Sequence, residues 1–384
     1  MKNKKIVIIG AGASGLLLKS LINEYYPDFE IFILEKKIID KKNLNNFFED
    51  NPKYLHPNVF SISFKVLLKK YLNKIYLDIY NLNSISSLFM FFKKISRIDF
   101  FKKIISYEKN NIKIISGVNN INFSIKNNLI KNISFKKKNE LDVIYPDLVF
   151  DGSSSKKYFY SLNEKLGNIS TINKEKNKIL ITFKVNIFDK NNVARIDKII
   201  NYSDITFNFQ FYDLTIIKYK KIYTFTYVSN MFDLNKAKAQ KELENFLIKR
   251  KINNYKIGKP IKWIHKNDIF HEIENHYLVN NLLPIGDSFL ITDPSNGMGL
   301  TSILFQTIYI TKKINNLDSK SYFKFSKELF VHLSSNSLKF SKNKNFFIKF
   351  LINNKNYFPL YKTIRTFFEI YKSNKHFKNF IDQL

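Results

Sequence analysis

The sequence predicts an α/β fold with a Rossmann-like parallel sheet at the N-terminus, an inserted antiparallel sheet and a group of C-terminal helices. Three observations predict it. An apolar run, a glycine-rich turn and a helical pattern follow one another over residues 5–24. Several runs between residues 181 and 227 alternate apolar and polar side chains. The stretch 319–384 is rich in Phe, Tyr and Lys and does not alternate, which predicts several helices.

Length and composition indicate a globular protein. The chain has 384 residues and 45% hydrophobic content, enough for one large domain or two. It has no cysteine, which excludes disulfides, thiolate metal sites and a cysteine nucleophile, so we expect a cytoplasmic setting. The start resembles a secretory signal, but glycines interrupt its apolar run and no small-residue cleavage site follows. No apolar stretch approaches the roughly 20 residues of a spanning helix, which leaves only peripheral membrane contact open.

The net charge of +31 and the pI near 9.8 would ordinarily suggest nucleic acid or an anionic membrane as a partner. However, Lys, Asn and Ile abound while Ala, Gly, Pro and Arg are scarce, which is typical of AT-rich codon usage. A nucleic-acid site would favour a concentrated patch with arginine forks. We therefore interpret the charge as compositional and do not expect nucleic acid as a partner.

The first 34 residues predict a strand, a helix and a second strand. Lys5 to Ile9 is a short apolar run, and residues 14–24 have helical spacing of leucine and isoleucine. Glu30 to Leu34 forms the second run. Such a unit implies two parallel strands joined by a crossover helix.

The turn between the first strand and the helix is a G-x-G-x-x-G motif. In a dinucleotide site its first glycine permits the tight turn, its second lets the backbone approach a pyrophosphate, and its third lets helix and strand pack closely. Glu35 ends the second strand 20 residues after the last glycine, where an acid can accept hydrogen bonds from ribose hydroxyls. NAD and FAD both fit this fingerprint. The predicted nucleotide-binding residues here are Gly10, Gly12, Ala13, Ser14, Gly15 and Glu35.

Alternating runs predict the antiparallel sheet. Residues 181–187, 205–211 and 223–227 place apolar side chains at every second position, with Thr, Lys, Asn or Gln between them. Period-two alternation is typical of a sheet with one covered face and one wet face. After Lys236 the pattern predicts a helix, then a strand over residues 277–285 and a helix over residues 299–315.

Two later segments carry further motifs. Pro146 to Ser155 places an apolar strand before Asp151-Gly152, and Leu283 to Thr301 places one before Gly286-Asp287 and a turn rich in proline and glycine. Together with the N-terminal motif, these segments resemble the FAD-dependent monooxygenases of the para-hydroxybenzoate hydroxylase type. Relatives of that group include the geranylgeranyl reductases, lycopene cyclases and flavin-dependent halogenases.

The resemblance implies FAD as the cofactor and a glutathione-reductase-like FAD-binding domain. It implies that Asp287 binds the ribityl chain and that Arg97, at the start of a predicted helix over residues 97–106, lies near the cofactor. The turn after Asp293 would lie against the flavin ring. The cofactor residues that the resemblance adds are Arg97, Asp151, Gly152, Gly286, Asp287, Pro294, Gly297, Met298 and Gly299.

The expected domains follow from these assignments. A discontinuous FAD-binding domain takes residues 1–75, 96–155 and 275–318. The substrate domain takes residues 76–95 and 156–274, and residues 319–384 form a C-terminal helical region.

The resemblance implies an oxidoreductase acting on a small organic substrate, first of all a monooxygenase that hydroxylates or epoxidises an apolar or aromatic molecule through a flavin peroxide. Reduction or cyclisation of an isoprenoid is an alternative, and a basic flavoprotein that binds RNA or a membrane surface is another. Trp263 is the only tryptophan, so the tryptophan-rich motif of tryptophan halogenases is absent. NADPH or NADH is the expected reductant. Lys156 and Lys157 replace the family's arginine, which favours supply of reduced flavin by a separate flavin reductase.

No catalytic residue is assigned, and no metal site is predicted. His265, His271 and His276 lie close in sequence, but their spacings do not suit a helix-borne metal pair.

Overall fold

The computed structural model describes residues 3–40, 42, 44–49, 62–72, 97–106, 111–138, 140–153, 158–164, 169–173, 178–200, 205–208, 213–219, 222–229, 235–265, 269–273, 279–291 and 299–336, and the single residues 375, 378 and 382. The strands are β1 (Lys5–Ile9), β2 (Glu30–Glu35), β3 (Ile112–Ser116), β4 (Val118–Lys126), β5 (Leu129–Lys137), β6 (Glu140–Ile144), β7 (Leu148–Asp151), β8 (Ile169–Asn173), β9 (Lys178–Ile187), β10 (Ile205–Asn208), β11 (Asp213–Tyr219), β12 (Ile222–Ser229), β13 (Tyr255–Ile257), β14 (Ile261–His265), β15 (Ile269–Ile273), β16 (Leu282–Pro284) and β17 (Leu290–Ile291). The helices are α1 (Ala13–Tyr25), α2 (Leu44–Glu49), α3 (Ile62–Tyr71), α4 (Arg97–Ser106), α5 (Tyr158–Glu164), α6 (Lys190–Ile200), α7 (Lys236–Lys249), α8 (Gly299–Lys313) and α9 (Ser319–Asn336).

A five-stranded parallel sheet in the order β16-β7-β1-β2-β3 contains the predicted strand, helix and strand unit. Strand β1 lies in the middle of the sheet. Ile6, Val7 and Ile8 are fully buried, as expected for a parallel strand that is covered on both faces. Helix α1 crosses from β1 to β2 and packs against α8 from the C-terminal part of the chain. The Rossmann-like sheet is therefore confirmed, and residues from both ends of the sequence build it.

A three-stranded antiparallel sheet, β4-β5-β6, follows β3 directly and was not predicted. Its turns use residues with positive φ, namely Asn127 at 53°, Asn128 at 56° and Lys138 at 48°. Asparagine tolerates this left-handed conformation better than most residues. The side chain of Asn281, next to β16, accepts the N–H of Ile130 at 2.8 Å and donates to its carbonyl at 3.0 Å. This pairing fixes the small sheet to the edge of the parallel sheet.

The antiparallel sheet predicted from alternation has the order β10-β11-β12-β9-β13, with β14 also paired to β9. Its apolar face packs against Ala239, Leu243 and Leu247 of α7. That face carries a separate cluster of buried side chains, including Ile181, Phe183, Val185, Phe225 and Tyr227. The alternation therefore predicted the covered face correctly.

The prediction of a wet opposite face is wrong for the middle of the sheet, although Asn186 at one end of that face is exposed. Thr182, Thr224 and Thr226 lie on that face and are buried, and every residue of β12 after Ile222 is buried. Thr182 and Thr226 are register partners whose hydroxyl oxygens lie 2.9 Å apart. Hydroxyl groups that bond one another can be buried at little cost. Threonine thus gives a polar alternation in a sheet that is covered on both sides at this point.

The remaining elements agree with the predicted order in part. Strand β16 is shorter than the predicted strand over residues 277–285, and α8 ends at Lys313, where a 3-10 turn over Ile314–Asn316 follows. Helix α9 confirms a helix at the start of the C-terminal region. None of the helices within the described ranges is both long and apolar enough to cross a membrane. The domain boundaries stay a prediction.

Candidate cofactor site

The glycine-rich turn joins the buried strand β1 to α1. Gly10 has a φ of 100°, which favours glycine, and its N–H donates to the carbonyl oxygen of Leu34 at 2.8 Å. A Cβ on Gly10 would lie 2.7 Å from the carbonyl oxygen of Gly152. A Cβ on Gly15 would lie 2.1 Å from the carbonyl oxygen of Gly10. The fold itself therefore requires glycine at positions 10 and 15.

Gly12 is different because nothing in the described part of the chain requires a glycine there. Its φ of −75° and ψ of −174° are open to any residue. A Cβ on Gly12 would meet no atom of the described residues within 4 Å. Gly12 precedes the first turn of α1, which has no side-chain cap and no acidic residue. The N-terminus of the helix thus offers backbone N–H groups and the positive end of its dipole beside an open space.

The Glu35 carboxylate lies next to this turn. Its Oε2 accepts the N–H of Ala11 at 2.7 Å, and its Oε1 accepts the N–H of Lys37 at 2.9 Å. Because both oxygens are held by backbone donors, the side chain has a fixed orientation at the end of β2. Each carboxylate oxygen has further lone pairs that can accept hydrogen bonds.

Ser14 brings the three motifs together. It is buried, and its Oγ lies 3.0 Å from the position of a Cβ on Gly152 and 3.0 Å from that of a Cβ on Gly286. Gly286 also has a positive φ of 62°. The ends of β7 and β16 therefore approach the first turn of α1 closely, and this approach requires glycine in both later motifs.

The Asp151 carboxylate is buried and bonded to the chain itself. It accepts the N–H of Phe159 at 2.8 Å and the N–H of Ser153 at 3.0 Å. The first of these bonds caps the start of α5. Burial raises the pKa of the Asp151 carboxyl, and the N–H donors of Phe159 and Ser153 oppose that rise. The structure thus gives this side chain a capping role that sequence reasoning missed, because the family resemblance alone suggested cofactor binding.

The Gly286-Asp287 motif lies in a 3-10 turn over Gly286–Ser288, with the Asp287 side chain half-buried. The N–H of Gly286 donates to Oε1 of Gln306 at 2.8 Å. Gln306 belongs to α8 and is fully buried. The Tyr322 hydroxyl of α9 donates to the carbonyl oxygen of Pro284 at 2.7 Å. Sequence reasoning missed Gln306, although a glutamine within the apolar run Leu304 to Tyr309 was a visible signal.

The other predicted residues are placed as follows. Gly299 is the first residue of α8, and half-buried Arg97 is the first residue of α4. Helix α4 is joined to α1 by a hydrogen bond. The ammonium of the buried Lys19 in α1 donates to the carbonyl oxygen of Ile104 in α4 at 2.8 Å. Ala13 opens α1. Pro294, Gly297, Met298 and His276 lie outside the described residues, while His265 ends β14 and His271 lies in β15.

Comparisons with known proteins identify the fold. No family model matches the chain, and no curated protein matches it. Among solved structures, it is similar to p-nitrophenol 4-monooxygenase PnpA from Pseudomonas putida DLL-E4, with a TM-score of 0.61, 12% identity, and coverage of 96% of this chain and 98% of that one. It is similar to CmlS, a flavin-dependent halogenase, with a TM-score of 0.59, 11% identity, and coverage of 91% and 67%. It is also similar to a mutant of halogenase PltM in complex with FAD, with a TM-score of 0.59, 11% identity, and coverage of 88% and 75%. At this level of identity the likeness shows a shared fold, as the sequence resemblance implied.

Proposed function

Because the chain has the fold of flavin-dependent monooxygenases and halogenases, we propose that it is an FAD-dependent oxidoreductase. The observation that supports this proposal most directly is the open space beside Gly12. Gly10 and Gly15 are explained by the fold, whereas Gly12 has ordinary backbone angles and open space where a side chain would stand. A group outside the polypeptide explains a glycine there, and the pyrophosphate of a dinucleotide suits the adjoining helix N-terminus.

The chain's own residues would hold FAD as follows. Gly12, Ala13 and Ser14 supply backbone N–H groups to the pyrophosphate, and Glu35 accepts hydrogen bonds from the adenosine ribose. Asp287 would bind the ribityl chain, since it lies in a turn that approaches Ser14 closely and whose Gly286 N–H donates to Gln306. By the family resemblance, Pro294, Gly297, Met298 and Gly299 would lie against the flavin ring, and Arg97 would lie near it. These roles follow the family resemblance residue by residue. The geometry agrees most directly with the roles of Gly12, which borders open space, and of Glu35, whose carboxylate is held in a fixed orientation.

The finer proposal is a monooxygenase. When bound, FAD would supply the redox chemistry by which two electrons from NADPH or NADH reduce O2, with one oxygen atom entering an apolar or aromatic organic substrate and the other leaving as water. The protein binds the substrate, orients it against the ring and excludes water from the reaction. Neighbours that are named as a monooxygenase and as halogenases support oxygen chemistry without distinguishing between the two reactions. Oxygen uptake by the reduced protein would separate a monooxygenase from an isoprenoid reductase or cyclase and from a flavoprotein that only binds RNA or a membrane.

The test begins with the absorbance spectrum of the purified protein after reconstitution with FAD. We expect a flavin band near one equivalent in the wild type. Gly12→Asp should lose that band while retaining the wild-type circular dichroism spectrum, because a Cβ at this position meets no described atom within 4 Å, whereas the new carboxylate repels the pyrophosphate. Gly12→Ala is the matched control for a side chain without charge, and it should weaken binding less. A wild type without a flavin band, or a Gly12→Asp variant with full flavin content, would contradict the proposal.

A further inference from the structure

The edge strand of the β4-β5-β6 sheet carries three exposed apolar side chains in a row. Leu141, Val143 and Tyr145 alternate along β6 and the residue that follows its end, so they share one face of the sheet. They are 63%, 45% and 67% exposed. Together they span about 14 Å at the usual rise of a strand. These three residues are called the apolar stripe.

The packing of the sheet fixes the direction of the stripe. Ile133, Phe135 and Ile144 lie on the opposite face and are buried in the main core. In the register between β5 and β6, Leu141 pairs with Lys136 and Val143 pairs with Ser134. The stripe therefore faces solvent together with these two residues. On the other side of the sheet the core holds Ile133, Phe135 and Ile144, while Glu140 and Asp142 stay exposed.

The charge on the outer face is positive. Lys136 lies directly beside Leu141 on the outer face, whereas Lys137 pairs with Glu140 on the opposite face and Lys138 lies in the turn before β6. Glu140 and Asp142 alternate with the stripe and so belong to the opposite face of β6. Within the described register of the sheet, the outer face carries no acidic residue; its members besides the stripe are Asn119, Asn122, Ser124, Asn132, Ser134 and Lys136.

We infer that the apolar stripe docks the protein on a lipid bilayer that contains anionic phospholipids. Single exposed apolar residues are common on protein surfaces, but three adjacent ones beside a lysine match the pattern of interfacial binding. Leucine, valine and tyrosine enter the boundary between headgroups and acyl chains, while Lys136, which pairs with Leu141 on the same face, contacts the phosphates. This surface lies outside the proposed cofactor residues, so docking is independent of flavin binding.

A second copy of the chain is the rival occupant, since β6 lies at the end of its sheet and an edge strand can pair with another. Charge favours the bilayer. Each copy carries a net charge of +31, so two copies repel one another, whereas an anionic surface attracts the same lysines. The compositional origin of the charge does not alter this attraction.

The first test is flotation of the FAD-reconstituted protein with vesicles of phosphatidylcholine alone and with added phosphatidylglycerol. We expect the wild type to bind the mixed vesicles at least fivefold more strongly than the neutral ones. Serine at Leu141, Val143 and Tyr145 together should lower the partition coefficient at least fivefold. The matched control is serine at Phe188, Ile248 and Val331, which are between 57% and 61% exposed but lie on separate elements. The control should bind as the wild type does, and both triple variants should retain flavin.

A second measurement reports directly from the stripe. Because the sequence has no cysteine, a Tyr145→Cys variant can carry a single environment-sensitive fluorophore. Its emission should shift to the blue when anionic vesicles are added, while the same label on Phe188→Cys should not respond. Failure of the wild type to bind anionic vesicles, or unchanged binding of the stripe variant, would overturn the inference. So would a concentration-dependent dimer in sedimentation that only the stripe variant loses, because a second copy would then be the occupant. Loss of flavin with intact vesicle binding would instead count against the proposed function alone.

Discussion

The side-chain oxygen of Gln306 accepts a 2.8 Å hydrogen bond from the backbone N–H of Gly286, and both residues are buried. Gln306→Leu should leave that N–H without an acceptor. We expect the free energy of unfolding in urea to fall by about 1–3 kcal/mol. Flavin retention should fall as well, because Asp287 follows Gly286 in the same turn. Ser302→Ala is the control: Ser302 lies one turn earlier in α8, is buried, and its hydroxyl has no partner among the described residues. Equal losses in the two variants would contradict a specific role for Gln306.

Gly15→Ala should destabilise the protein strongly, because the new Cβ would lie 2.1 Å from the carbonyl oxygen of Gly10. Either α1 or the glycine-rich turn must move, and such overpacking costs about 1–3 kcal/mol or more. Thermal unfolding of the apoprotein measures the loss without any contribution from the cofactor. Gly258→Ala offers a comparison, since its nearest contact would be Lys184 at 3.3 Å. If both variants unfolded at the same temperature, the close contact between helix and turn would be wrong.

Glu35→Ala should weaken FAD binding by about 1–3 kcal/mol, since the ribose loses its acceptor and the N–H of Ala11 loses the carboxylate that orders the turn. Titration calorimetry on the apoprotein measures the change. Asp40→Ala removes another carboxylate that accepts a nearby backbone N–H, that of Lys42, and should leave the affinity unchanged. An unaltered dissociation constant for Glu35→Ala would indicate that the glutamate only shapes the loop.

Asp151→Asn should change how stability depends on pH. Burial raises the folded-state pKa of Asp151 above the ordinary value of 3.8, so the native state binds this proton more tightly than the unfolded chain does. The resulting stabilisation is full below the unfolded pKa and is lost as the pH rises through the folded-state pKa. Asparagine does not titrate. The unfolding free energy of the wild type relative to the variant should therefore decrease as the pH rises above the unfolded value of about 4 and through the raised folded-state pKa. Parallel curves for the two proteins would show that the carboxyl does not titrate differently on folding.

The sequence predicted the elements whose signals are local. The β1-α1-β2 unit was correct to within one residue at each boundary, because apolar runs, glycine spacing and helical periodicity all lie within one short segment. The positions of Gly10 and Gly15 also follow from local geometry. The cofactor roles of the later motif residues stay predictions.

The missed features depend on distant parts of the chain. The turn at Asn127-Asn128 is a local signal, but no strands were predicted on either side of it, so the β4-β5-β6 sheet was overlooked. Burial of Thr182 and Thr224 depends on what covers the sheet, which alternation alone does not indicate. Likewise, the partner of Gln306 lies 20 residues away, and no local pattern points to it.

The assembly of the parallel sheet has a consequence for biosynthesis. Strand β1 is made first, yet α1 packs against α8, and the Lys4 ammonium donates to the carbonyl oxygen of Ile314, 310 residues later. Until the ribosome has released that C-terminal segment, the nascent chain must carry α1 with part of its apolar surface uncovered. Contacts so far apart in sequence slow folding and expose intermediates to aggregation. The buried face of α1 can therefore be completed only after α8 has left the ribosome.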